Sequence, residues 1–130
     1  MAQKTHKLGD LQLAIMQVLW KRGEVSVTEV HQALLEERGL ASTTIATMLV
    51  KMEAKGVVTH RTEGRRYIYR PTATEAEVRH TMVGEITERL FEGSPAALVS
   101  YLLEAHDVDA QDLEELEALL ADRNRQEKKS

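Results

Sequence analysis

Apolar positions return at helical spacing along most of the chain and switch once to an extended pattern. Leu8, Leu11, Ile15, Val18 and Leu19 recur every three or four residues, with Trp20 as a large anchor, which predicts a helix over about residues 10–21. Arg22-Gly23 stops it. Ser26-Val27-Thr28-Glu29 has the form of a capping box, in which the Ser hydroxyl accepts from the amide three residues on and the Glu reaches back. Val27, Val30 and Leu34 form the stripe of this second helix, which ends near Arg38-Gly39. Glu24-Val25, between the two helices, reads as a very short strand. A third helix is expected to start after a cap at Ser42 and to end at Lys55-Gly56, with Gly56 as a left-handed terminator. Ile45, Met48, Leu49 and Met52 fall on one side of it. Thr43, Thr47 and Lys51 fall opposite, with Thr44 at the edge.

Residues 57–62 and 66–70 are rich in β-branched and aromatic side chains around Glu63-Gly64-Arg65, a hairpin signal, and Pro71 ends the second strand. Three more helices follow. Thr74 and Glu77 form a second capping box ahead of Val78, Met82, Ile86 and Leu90. After Glu92-Gly93, Ser94-Pro95 restarts a helix with Pro in its first turn. That helix has a broad apolar surface from Ala97, Leu98, Tyr101 and Leu102, widened by Val99 and Leu103. Asp109 caps a last helix with Leu113, Leu116 and Leu120 on one face, and the polar tail from Arg123 to Ser130 is expected to fray. The chain is therefore mainly α. Three helices and a hairpin over residues 1–72 have the order of a winged helix-turn-helix, and residues 73–130 form a separate three-helix domain.

Composition narrows the classes. The 130 residues are 42% apolar and 29% charged, as in an ordinary water-soluble domain. No run approaches the roughly 20 apolar residues of a membrane span, so no membrane insertion is expected. Residues 1–10 carry Lys4 and Lys7 without an apolar run, which argues against a secretory signal. Cys is absent, which removes disulfides, thiolate metal sites and a Cys nucleophile and fits a reducing, cytoplasmic setting. Charge is uneven. Residues 1–72 hold 11 Lys and Arg against 7 Asp and Glu, net +4. Residues 73–130 hold 6 against 14, net −8, together the −4 of the whole. A basic half before an acidic half suggests that only the first meets a polyanion.

No catalytic constellation is visible. The seven glycines are isolated and form no phosphate loop. Glu77 and His80 have the Glu-x-x-His spacing of carboxylate-bridged di-metal bundles, but such sites need two of these motifs. No cofactor or metal is expected, and Glu114-Glu115 reads as a solvated face. The third helix instead offers short polar side chains at Thr43, Thr44 and Thr47 and a longer cation at Lys51, a combination suited to base edges and phosphates in a major groove. A Thr-rich amphipathic helix with one exposed Lys explains those four residues equally well. The hairpin tips the balance: Arg61, Arg65, Arg66 and Arg70 crowd ten residues, which suits phosphate or minor-groove contact. The second domain is too small to close its own core. Pairing with a second copy through Leu98, Tyr101, Leu102 and Leu116 would cover its apolar surface, and packing back on the first domain is the alternative.

Three stretches resemble the penicillinase-repressor family of the BlaI, MecI and CopY types. They are Leu8-Gly9 with Ile15-Met16 and Leu19-Trp20, then Thr43 to Thr47 with Lys51 and Lys55-Gly56, and the run from Gly64 to Pro71. The resemblance covers nearly the whole chain. It implies a homodimeric transcriptional repressor of inverted-repeat operator DNA, with a winged helix followed by a helical dimerisation domain. It also implies release by cleavage in the fifth helix under a membrane sensor protease responding to β-lactams. The cut would fall near Tyr101 and Leu102, where well-known relatives carry Asn-Phe. Copper sensing through C-terminal Cys pairs is excluded, because the chain has no Cys. Ala41 and Ala46 stand where relatives often place polar or basic residues. Two other readings remain open: a winged-helix protein-interaction module that does not bind DNA, and a metal-dependent bundle enzyme. Steep salt dependence of duplex binding separates the first, and bound metal in the purified protein separates the second.

Overall fold

A computed structural model describes residues 8–129; the expectation of no secretory signal rests largely on residues 1–7, outside the described part. The elements are α1 (Asp10–Arg22), β1 (Val25–Ser26), α2 (Val27–Arg38), α3 (Ser42–Ala54), β2 (Val58–Glu63), β3 (Arg66–Pro71), α4 (Glu75–Leu90), α5 (Pro95–Ala105) and α6 (Ala110–Lys129). They fall into two compact units, residues 1–85 and 86–130. The first unit continues past residue 72, because Ala73 and Val78 both lie in its core.

The first unit is a winged helix. Its three strands lie in the order β1-β3-β2, all antiparallel, so β3 is the centre. Ile15, Met16 and Leu19 of α1, Val30 of α2, and Ile45, Leu49 and Met52 of α3 are closed off from solvent. Tyr69 of β3 completes this core from the sheet side. The indole N–H of Trp20 donates to the Ala73 carbonyl at 2.9 Å, tying α1 to the chain leaving the hairpin.

Local signals set the element ends. The Ser26 hydroxyl accepts from the Glu29 amide at 3.2 Å, and the Glu29 carboxylate accepts from the Ser26 amide at 3.1 Å. Thr74 and Glu77 repeat this arrangement at the start of α4. Gly56, at φ 82°, lets the Val57 amide reach back to the Met52 carbonyl at 3.2 Å and so closes α3.

Three expectations are corrected. Ala41, not Ser42, is the extended residue before α3, and Ser42 is its first helical residue. Ser, Thr and Thr in sequence offer three candidate caps, and here the helix begins one residue early without a side-chain cap. The short strand β1 is Val25–Ser26, one residue later than Glu24-Val25, because these two residues are the ones that pair with Tyr69 and Ile68 of β3. The last helix does not stop at Arg123. Its polar tail is made of good helix formers and carries an Arg125–Asp122 pair at 3.3 Å.

The Ser26 cap yields a stability prediction. Ser26 is buried, and Ser26→Ala is expected to cost about 1 kcal/mol in denaturant unfolding, as measured at other helix caps. Hydrogen bonds from the Ser26 amide and hydroxyl hold the Glu29 carboxyl below its ordinary 4.5. A lowered carboxyl stabilises the fold above its unfolded value, and that contribution is lost as pH falls through the folded value. The acid limb of the stability profile should therefore be shallower in the variant.

Candidate nucleic-acid interface

Burial of one stripe of α3 settles what its other side presents. With Ile45, Leu49 and Met52 inside, Thr43, Thr44, Thr47 and Lys51 are all exposed. Thr43, Thr47, Val50 and Ala54 follow at intervals of four, three and four, so they line one outward face. Val50 on that face is 59% exposed. Sequence reasoning misses it, because an apolar residue inside an amphipathic helix is ordinarily assigned to the core. Helical spacing counted from Thr43 is the signal that finds it.

The wing stands beside this helix. Its tip is Gly64-Arg65, with Gly64 at φ 62°. His60 of β2 approaches Glu53, near the end of α3, at 2.6 Å, and its ring stacks on Tyr67 with centroids 4.2 Å apart. These contacts couple the hairpin to α3. Ser26 and Thr28 near the start of α2, Thr43 and Ala46 of α3, and Arg65 and Arg66 of the wing border one cleft of about 380 Å³. Four of the predicted side chains therefore share a surface: Thr43 in α3, Arg65, Arg66, and by its position on the same helix face Thr47.

The four arginines are not left facing one another. Arg61 bonds Glu24 at 3.2 Å and Glu63 at 2.8 Å, and Arg66 bonds Glu63 at 3.4 Å. Glu24 is 37 positions from Arg61 in sequence, so crowding along the chain gave no sign of this compensation. Lys51, Arg65 and Arg70 take part in none of the ion pairs found among the described residues. Uncompensated positive charge thus remains at the wing tip, near the end of β3 and on α3.

The second unit presents a different surface. None of the α5 side chains is buried. Tyr101 and Leu102 are 51% and 43% exposed, while Leu98 and Leu116 are half-buried. Phe91 lies against Tyr101, with ring centroids 5.6 Å apart. The described residues hold no cluster of three or more metal-ligating side chains. Glu77 is engaged in the Thr74 cap, and His80 is exposed. Among the described residues, no helix is long and apolar enough to cross a membrane.

Comparison with known proteins agrees with this arrangement. Residues 8–122 match the family described as penicillinase repressor. The penicillinase repressor of Bacillus licheniformis is 26% identical over 126 residues, covering 97% of this chain and 98% of its own. The transcriptional regulator BlaI of Mycobacterium tuberculosis is 35% identical over 122 residues, 88% of each chain. Among solved structures, the DNA-binding domain of the repressor BlaI is similar, with 31% identity and a TM-score of 0.52 over 59% of this chain and 93% of that one.

The wing's ion pairs can be checked by titration. A hydrogen bond from Arg61, supported by its charge, lowers the Glu63 carboxyl below its ordinary 4.5. Carboxyl-resolved NMR should show Glu63 titrating below that value, with Arg61→Ala moving the midpoint back up. An unmoved midpoint in the variant would show that the Arg61–Glu63 pair does not persist in solution.

Proposed function

The chain belongs to the penicillinase repressor family, and on that premise we propose that it is a DNA-binding transcriptional repressor rather than an enzyme. The observation that carries this reading is the joint exposure of the α3 face and the uncompensated cations Lys51 and Arg65 beside it. Thr43, Thr44 and Thr47 are assigned to base edges. Lys51, Arg65 and Arg66 are assigned to phosphates or the minor groove. The likeness to the DNA-binding domain of a BlaI repressor supports placing DNA contact in this unit.

The finer reading is a homodimer on an inverted repeat. Val99, Tyr101, Leu102, Leu103, Leu113, Leu119 and Leu120 are each at least 42% exposed in the second unit. So much apolar surface on so few residues marks an association site, and a second copy of the chain supplies a matching surface under two-fold symmetry. A dimer holding two recognition helices requires two related half-sites. Joining two modest affinities raises the total, and severing the dimer removes that gain. One cut near Tyr101 and Leu102 would detach α6 and part of α5 from the DNA-binding unit. Switching by a protease under a membrane sensor fits this geometry, with local opening of α5 as its first step. A ligand-driven switch is the competing reading.

Three outcomes are expected. Duplex binding should weaken steeply with salt, and Arg65→Ala with Arg66→Ala should weaken all sequences alike, lowering the salt slope by about one for each phosphate that is no longer neutralised. Unchanged affinity in that double variant would remove the wing from the interface, and no duplex binding at all would favour the protein-interaction reading. Native mass spectrometry should find a dimer at micromolar concentration, and Leu102→Asp should split it, since a charge enclosed without a partner costs several kcal/mol. Finally, an N-terminally tagged copy in cells exposed to a β-lactam should shorten as its target genes switch on. Persistence of the full-length chain during induction would reject cleavage as the switch.

A further inference from the structure

We propose that Val50 reads the 5-methyl group of a thymine in the major groove, making it a specificity-determining residue that acts without a hydrogen bond. The proposal rests on the DNA-binding reading above and assigns part of its specificity to one side chain.

Val50 is 59% exposed at the middle of the outward face of α3, two turns beyond Thr43 and three residues beyond Thr47. Its neighbours on that face are short: Thr43, Ala46, Thr47 and Ala54. A helix with no long side chain at its centre can bring its backbone close to base edges, and Lys51 and Arg65 lie to the sides to meet phosphates. Among residues 42–54, no outward position carries Arg, Asn or Gln, the side chains that read guanine or adenine through paired hydrogen bonds. Apart from Lys51, which can also pair with guanine, the helix is left with threonine hydroxyls and apolar contact to read sequence.

The chemistry of the partner follows from the surroundings. A polyanion fits the flanking cations, and within DNA the major groove offers one apolar group, the thymine methyl. The minor groove offers none, and the deep, narrow major groove of an RNA helix does not admit a side chain at this depth. Valine is stiff in a helix, so little side-chain freedom is lost when the methyl packs against it.

The test begins with the full chain and duplexes it enriches from a random library. Each thymine of the enriched half-site is then replaced singly by deoxyuridine, which keeps pairing and removes the methyl. One replacement should weaken the unaltered protein about fourfold, the value of one buried methyl-sized group. The same replacement should leave Val50→Ala unaffected, while the salt slope of that variant stays unchanged and reports an intact phosphate interface. Equal binding of every deoxyuridine duplex by the unaltered protein would overturn the assignment. So would an undiminished thymine preference in Val50→Ala, which would give the methyl contact to a threonine. Enrichment of no duplex at all would sink the DNA-binding reading before this step is reached, and this proposal with it.

Discussion

Ile45, Leu49 and Met52 share one side of α3, and all three are almost wholly removed from solvent where α3 packs against α1 and α2. Burial of such side chains contributes roughly 1.5–3 kcal/mol each, so together they fix how far the helix is rotated about its own axis. A quarter turn one way would carry the Thr44 hydroxyl inward without a partner, and the other way would carry the Glu53 carboxylate inward. The outward order Thr43, Thr47, Val50, Lys51 follows from that single constraint. The candidate interface is the remainder of a core-packing solution, which is why its small residues can lie so close together without a loop to arrange them.

The wing depends on the same core through β3. Its Ile68 and Tyr69 are buried, and it pairs with β1 on one side and β2 on the other. A two-stranded ribbon alone is marginal in water; here β1 and the Tyr69 anchor hold it to the helices. The His60–Glu53 contact and the His60–Tyr67 stack add a second tie at the level of α3. Charge at the tip is then divided. Glu24 and Glu63 hold Arg61, and Glu63 also holds Arg66, while Arg65 stands clear. The wing is less positive than its arginine content suggests, and its free charge is split between Arg65 at the tip and Arg70 near the far end of β3.

The acidic second unit follows a different rule. Its helices are capped and regular, with Ser94 accepting from the Ala97 amide and Asp109 from the Asp112 amide. Yet α5 encloses none of its side chains. Local hydrogen bonding is satisfied while much of the apolar surface stays open to solvent. Its negative charge would also keep it away from a polyanion bound by the basic unit.

How much of this was legible in the sequence differs from one residue to the next. The periods of the apolar positions, the capping boxes at Ser26 and Thr74 and the terminator at Gly56 act within a few residues, so the six helices and the hairpin could be placed from the chain alone. The exposure expected of Thr43, Thr47 and Lys51 follows from the same 3.6-residue geometry. The start of α3 was less legible, because three adjacent cap-forming residues left its boundary open. The partners of Arg61 and the extent of α6 were not legible as charge or polarity alone, and neither was the open position of Val50. Arg61 meets Glu24 only after β3 has brought β1 and β2 into one sheet. Sequence spacing determined which residues share a face; the tertiary structure decided which faces are covered and which charges are neutralised, because burial and ion pairing depend on groups that only folding brings together.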